Sequence, residues 1–398
     1  MGSAFADNAK VLLVSPPELK AEWAAYARMR GKQGTPIKVI GTGAIAKKYD
    51  EDDLQNKIRL CIREHIDKHG FDTVILGGDS TPEGGLIPDR DTYHKNMWGI
   101  DTDIPTDIYF ISPTNWDHDG DGVYGEFNDD REAITYPDGK TAIGRIPVRT
   151  ARDVKSYAAK VEAHLAAEPT DQLAMTCEVK GAYAKVLKSG KENIPGAWPE
   201  GKVSIFFNEM TSWDGDGEPG NYDLSPKNLG DKFSEEKINK WHLHGHGLID
   251  RWVLEKHRPF SYKHVKALKN ARRPLVITTV SCFTGHFDAD KDPCITEAML
   301  RQADGGAVII VAPCREGKPH FHNPKTDFPL MMREGKLDGT TQTMTSFWMA
   351  ALGVEKAKAG HALAVSKSGL AEDAEKSATY HQGICELNLL GDPSLPVQ

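Results

Sequence analysis

The sequence predicts an α/β protein built on mainly parallel sheet, and two observations predict it. Short apolar runs alternate along the chain with longer stretches whose apolar residues recur every three or four positions. That alternation marks a parallel sheet covered by helices on both faces. Successive runs are also far enough apart for helical crossovers, such as Tyr262 to Ala271, which parallel neighbours require.

In the first part of the chain the strand candidates are Val11 to Ser15, Ile37 to Ile40, Val74 to Gly77, Ile108 to Ile111 and Ala142 to Ile146. Helices are expected over Pro17 to Lys32 and over Asp52 to Lys68, the second opening on an Asp cap. A helix from Ala151 to Ala167 starts at Thr150 and stops before Pro169, so a boundary falls there. It divides the chain into an N-terminal α/β subdomain, residues 7–150, and a C-terminal subdomain, residues 151–398. The second part offers strands at Leu173 to Cys177, Val203 to Phe206, Lys240 to His244, Leu275 to Val280, Ala307 to Ala312 and Gly383 to Leu389. Its helical stretches are Ile295 to Gln302, Lys325 to Glu334, Thr341 to Ala351 and Gly360 to Ala371. There is no internal repeat.

A chain of 398 residues with 39% hydrophobic and 27% charged residues can bury real cores. The formal net charge is −8, and lysines and arginines are scattered, which argues against a nucleic-acid partner. No apolar run approaches a membrane span. Cys61, Cys177, Cys282, Cys294, Cys314 and Cys385 lie far apart, mostly in apolar segments, and form no disulfide framework. The segment Ala4-Phe5-Ala6 resembles the tail of a cleaved secretory signal, so a secreted or periplasmic protein is expected.

Two strand ends carry the chemistry. Trp241-His-Leu-His-Gly-His246-Gly247 ends on a histidine followed by glycine, and Val276-Ile-Thr-Thr-Val-Ser-Cys282-Phe-Thr-Gly285 ends on a cysteine. A thiol needs an imidazole that holds and later delivers a proton, and two neighbouring parallel strands can offer both from their carboxyl ends. Gly247 allows a sharp turn beside the imidazole, and its amide, with that of Cys282, could face a developing oxyanion. Taken singly, such a cysteine reads as a small buried hydrophobe and such a histidine as a hydrogen-bonded core group.

At these residues the chain resembles the gingipain-like cysteine peptidases, members of a caspase-like group that also holds legumain, clostripain and separase. Gly245-His246-Gly247 and Ser281-Cys282 followed by Gly285 match the family's two strand ends. Val74-Ile-Leu-Gly-Gly-Asp79, Thr106-Asp107-Ile-Tyr109, Ile143-Gly144-Arg145-Ile146-Pro147 and Leu390-Gly391-Asp392-Pro393-Ser394-Leu395 resemble four further landmarks, in the family's order. The resemblance implies a caspase-like α/β/α sandwich of two side-by-side subdomains with mainly parallel sheets, the second being catalytic. It implies a cysteine endopeptidase acting on protein or peptide substrates through Cys282 and His246, with Glu178 where gingipains place an acid that orients the histidine.

The basic specificity pocket is not inherited by position, because Lys185 to Trp198 offers only Glu192 where gingipains carry their acid. Cleavage after Arg or Lys is nevertheless expected, from the relatives and from Asp250, Asp288, Asp290 and Asp292 around the dyad. Asn or Asp at P1, as in legumain and caspases, is the alternative.

Trp116 to Asp129 alternates carboxylates as calcium loops do. The candidate ligands for a structural calcium ion are Asp117, Asp119, Asp121, Val123, Glu126 and Asp129, with Asn128 standing where an EF-hand has its bidentate Glu. Similar loops occur in gingipain relatives, which are often calcium-stabilised. Trp213-Asp214-Gly-Asp216-Gly217-Glu218 is a weaker echo. His242, His244 and His246 alternate on one strand face and define a rival, a zinc-dependent hydrolase. A third reading is a catalytically inactive caspase-like binding protein. His286 either lines the cleft or decorates a loop.

Overall fold

The computed structural model describes residues 10–81, 85–95, 100–177, 194, 198, 201–207, 222–235, 238–254, 258–289, 293–317 and 339–398. The first part of the chain supplies strands β1 (Val11–Ser15), β2 (Ile37–Gly41), β3 (Thr73–Leu76), the hairpin β4 (Asp91–Lys95) and β5 (Asp101–Pro105), and β6 (Ala142–Arg145). Then follow β7 (Gln172–Cys177), β8 (Lys202–Phe207), β9 (Tyr222–Asp223), β10 (Lys240–His244), β11 (Gly247–Leu248), β12 (Arg251–Val253) and β13 (Pro259–Ser261). The last strands are β14 (Leu275–Thr279), β15 (Ala307–Pro313) and β16 (Leu387–Gly391).

Eleven of these form one sheet in the order β2-β1-β3-β6-β16-β15-β14-β10-β7-β8-β9. Every neighbouring pair is parallel except β15 with β16. The last strand makes the seam: β16 runs antiparallel to β15 and touches β6 through Leu390 and Arg145. The two expected sheets are thus joined edge to edge by a C-terminal strand.

Helices cover both faces. Helix α1 (Lys20–Lys32) packs on α4 (Ala151–Ala166), which packs on the helix Ile295–Arg301. Helices α2 (Thr42–Lys48) and α3 (Leu54–His69) pack together, as do Gly339–Leu352 and Ala359–Ser368. Consecutive residues of β10 show the two layers. Trp241 packs against Phe233, Trp252 and Phe260, whereas His242 meets Thr278 and, through it, Trp348. The helix ends follow from capping: Asp53 accepts from the Asn56 amide, and Thr150 forms a capping box with Asp153.

Two expected strands are otherwise. Ile108–Ile111 is a 3-10 turn packed on α3, because the Asp107 before it is held by Arg145 and the apolar run is only one turn long. Within Gly383 to Leu389 the chain is helical to Glu386 and extended only from Leu387. That stretch is buried throughout, Glu386 and Asn388 included, so no exposed polar face marks its period. Helix α2 and the β4–β5 hairpin were not legible as periodic segments. The expected helix Lys325 to Glu334 lies outside the described residues. No helix of the described residues is long and apolar enough to cross a membrane.

Candidate active site

Strands β10 and β14 are hydrogen-bonded neighbours, with Lys240 opposite Val276 and His242 opposite Thr278. That register is an offset of 36 positions, the same separation as between His246 and Cys282. Both residues therefore leave the sheet at one level, and the pairing continues upward where the Val280 amide donates to the Leu243 carbonyl at 3.1 Å. A Cβ on Gly247 would stand 2.7 Å from the Cys282 carbonyl oxygen and 2.8 Å from Ser281 Cβ. Only glycine permits this approach, so the backbone after the histidine lies directly on the cysteine turn.

That turn is tightly tied. The Phe283 amide donates to the Arg315 carbonyl at 2.8 Å and Gly285 to that of Pro313 at 2.9 Å. The Thr284 hydroxyl donates to the Ser281 carbonyl at 2.8 Å. Phe283, a non-glycine residue, is held at φ +59°, a left-handed conformation that costs free energy and persists because these contacts over-determine it. The result presents Cys282, half-buried, with its Sγ 3.8 Å from the Gly317 carbonyl oxygen.

His246 is exposed. Burial pushes the Cys282 thiol up to about 11, with the carboxylates of Glu386 and Glu316 adding to the rise. Cys282 is therefore a thiol rather than a thiolate at neutral pH. Cys61, Cys294, Cys314 and Cys385 are all buried, with pKa values raised chiefly by that burial.

Beside the turn is an open cleft of about 330 Å³ lined by Asp101, Asp103, Phe283, His286, Arg315 and Glu316, among others. His286 thus belongs to the cleft. Arg315 is spent on Asp288, which it holds in a bidentate pair at 2.9 and 2.6 Å. Asp250 is likewise engaged by its neighbour Arg251 at 2.7 and 2.6 Å. Of the four acids expected to attract a basic side chain, these two already have arginine partners, and Asp290 and Asp292 lie outside the described residues. The carboxylates of the cleft are instead Asp101, Asp103 and Glu316, which sequence reading missed because two stand on β5 and the third follows β15, more than 200 positions along the chain. Glu178 and Glu192 lie outside the described residues.

His242, His244 and His246 do not gather into a metal-ligating group among the described residues. His242 is buried with its Nδ1 2.8 Å from the Thr278 hydroxyl, and burial lowers its pKa to about 4. His244 is buried at the last position of β10, while His246 lies two residues beyond it and is exposed. The zinc reading loses its shared face.

In the acidic loop the carboxylates of Asp117, Asp119 and Asp130 lie within 4.8 Å of one another. Asp130, absent from the expected set, is fully buried and accepts from the amides of His118 and Glu126 at 2.5 and 3.1 Å. Asp121, Val123 and Asp129 are exposed and Glu126 half-buried, all outside that group. The loop carries the expected turns: Asp117, Asp119 and Asp121 each cap an amide two or three residues on, and Gly120 and Gly122 have φ of +78° and +85°. A second carboxylate group, Asp89, Asp91 and Asp288, lies near the cysteine loop. The echo from Trp213 to Glu218 lies outside the described residues.

An α/β/α sandwich that sets a thiol and an imidazole at neighbouring strand ends is the architecture of a cysteine peptidase. The chain belongs to peptidase family C25, whose family model matches residues 5–398, and it is a cysteine-type endopeptidase of that family. Among solved structures it is similar to the Arg-specific cysteine proteinase gingipain R (RgpB), with a TM-score of 0.67 and 17% identity over 98% of this chain and 79% of that one. The complex of Porphyromonas gingivalis RgpB pro- and mature domains gives the same values. A further protease structure matches with a TM-score of 0.63 and 13% identity over 97% of this chain and 78% of that one. These likenesses show the fold. No curated protein sequence is detectably similar.

Proposed function

We propose that the protein hydrolyses peptide bonds after Arg or Lys, with Cys282 as nucleophile and His246 as proton carrier. The observation that carries this reading is the shared level of the two residues, with Gly247 packed on the Cys282 carbonyl. As Cys282 Sγ bonds to the scissile carbonyl carbon, its proton passes to His246, which hands it to the departing amine. The amides of Gly247 and Cys282 stabilise the oxyanion. Water then attacks the thioester, His246 takes a proton from it, and the thiol is regenerated as the carboxylic acid leaves. Glu178 would orient the imidazole.

The basic P1 preference is supported by the carboxylates of Asp101, Asp103 and Glu316 in the cleft beside Phe283. Its positive neighbour Arg315 is neutralised by Asp288. The acidic loop would hold a structural calcium ion through Asp117, Asp119 and Asp130, since oxygens on one ion at about 2.3–2.6 Å stand within roughly 5 Å of each other. The ion would neutralise the three clustered carboxylates and take no part in the chemistry. Export suits an exposed loop of this kind, because extracellular modules bind calcium at the weak end of the range.

The test is mass spectrometry of a peptide library after incubation with wild type and with Cys282→Ala. Cleavage after Arg or Lys in the wild type alone is expected. Cleavage that persists in Cys282→Ala removes the nucleophile, and cleavage confined to Asn or Asp removes the specificity.

A further inference from the structure

The three-stranded sheet β11-β12-β13 stands at the mouth of the site, and β11 is its edge strand. Gly247 opposes Trp252 and Leu248 opposes Arg251, and the Val253 amide donates to the His246 carbonyl at 3.0 Å. In an antiparallel ladder bonded and non-bonded pairs alternate. The pair on either side of Gly247 and Trp252 is the bonded one, so the Gly247 N–H and C=O point away from β12, on the side where no further strand pairs with β11. The two residues that follow are apolar. Leu248 is 51% exposed and Ile249 36%, and among the described residues they are the only exposed large hydrophobics adjacent in sequence. The neighbouring charges are closed on each other in the Asp250–Arg251 pair, which leaves the surface over Leu248 without a free charge from its own hairpin.

We infer that the substrate adds as a strand to the open edge of β11 and that the residue next to P1 packs an apolar side chain on Leu248 and Ile249. Such strand addition deepens the peptidase reading and rests on it. If the Gly247 amide binds the scissile carbonyl, the P1 residue pairs with Gly247. The next substrate residue pairs with Leu248 and shares its face, because side chains directly opposite in a sheet lie on the same side. That residue is P2 if the substrate runs antiparallel to β11 and P1′ if it runs parallel. Main-chain bonds to the edge supply affinity without selecting sequence, and the apolar lip supplies the selection. The occupant is a substrate side chain rather than a second copy of the chain, because the edge is continuous with the catalytic pair and only two residues long.

The experiment measures kcat/KM on peptides with fixed P1 and varied P2 and P1′, for wild type, Leu248→Ser and Leu248→Lys. Alkylation of Cys282 by iodoacetamide counts active sites. Wild type should prefer Leu, Ile or Phe over Ser at one of the two positions by about tenfold, the scale of an apolar contact. Leu248→Ser should erase that preference, and Leu248→Lys should turn it toward Asp or Glu. A profile unchanged in both variants overturns the inference while leaving the peptidase intact. A dimer that Leu248→Ser dissociates, seen by sedimentation, assigns the lip to a second copy instead. Absence of cleavage of any peptide, with Cys282 unreactive, removes the peptidase reading and this inference together.

Discussion

The strand ends in the first half of the sheet and those of β10 and β14 are built alike and used differently. After β3, Asp79 is 1% exposed and pairs with Arg149 and with Arg301 at 3.3 Å. Arg145, which closes β6, is fully buried, pairs with Asp107 at 2.7 Å and donates to the carbonyls of Gly78, Ile87 and Pro88. Asp392, just past β16, accepts from Tyr26 at 2.5 Å and from Ser394 at 2.6 Å. Each of these charges is closed by partners. At β10 and β14 the residues beyond the strand are an exposed imidazole and a half-buried thiol. The difference teaches that three family-like landmarks, Gly-Asp, Ile-Gly-Arg and Gly-Asp-Pro-Ser, act as buried locks, while Gly-His-Gly and the cysteine segment bring their side chains to the surface.

The sharpest way to break the comparison is to remove one group from each kind of end. Cys282→Ala should lower peptidase turnover by at least about 10⁴-fold with an unchanged melting temperature. A large fall in melting temperature would make Cys282 a packing residue. Arg145→Met should do the opposite, leaving Asp107 buried without its partner at a cost of about 3–5 kcal/mol in urea unfolding. A stable Arg145→Met protein would show that this end is not a lock.

Acid should test the closed interior next. His164, His242 and His381 are all buried, and burial lowers each pKa from its ordinary value near 6.5 to about 4. Between those values the unfolded chain binds protons that the native state refuses. Stability is therefore full above about pH 6.5 and is lost as pH falls toward 4, by on the order of 2–3 kcal/mol per histidine. A melting temperature flat across that window would contradict the burial of these rings.

Two smaller effects refine the picture. Adding EGTA should lower the melting temperature by a few degrees without changing turnover, because an ion bound only by the folded state stabilises by mass action. Asp130→Asn should abolish that response. Iodoacetamide should label Cys282 before Cys61, Cys294, Cys314 or Cys385, at a rate still climbing above pH 9, since burial holds its thiol near 11. A plateau near neutral pH would mean the thiol is already ionised at rest.

Much of this was legible in the chain itself. The strand candidate Val11 to Ser15 coincides with β1, because an apolar run leaves a doubly covered strand no alternative, and Lys240 to His244 coincides with β10, where Trp241 and Leu243 alternate with polar residues. Thr150 and Asp153 announce α4 because a cap is a contact between residues three apart. The Gly-His-Gly and Ser-Cys segments stood out because each combines a reactive group with a strand end. Local contacts of this kind are written in local sequence. Tertiary structure decided the rest. The register that levels His246 with Cys282, the seam made by β16 between β6 and β15, Asp130 in place of Asp121 in the acidic loop, and the cleft of Asp101, Asp103 and Glu316 all join residues distant in the chain. Nothing in a stretch of sequence records which remote partner will lie across from it, since that is set by how whole layers pack and which strands become neighbours.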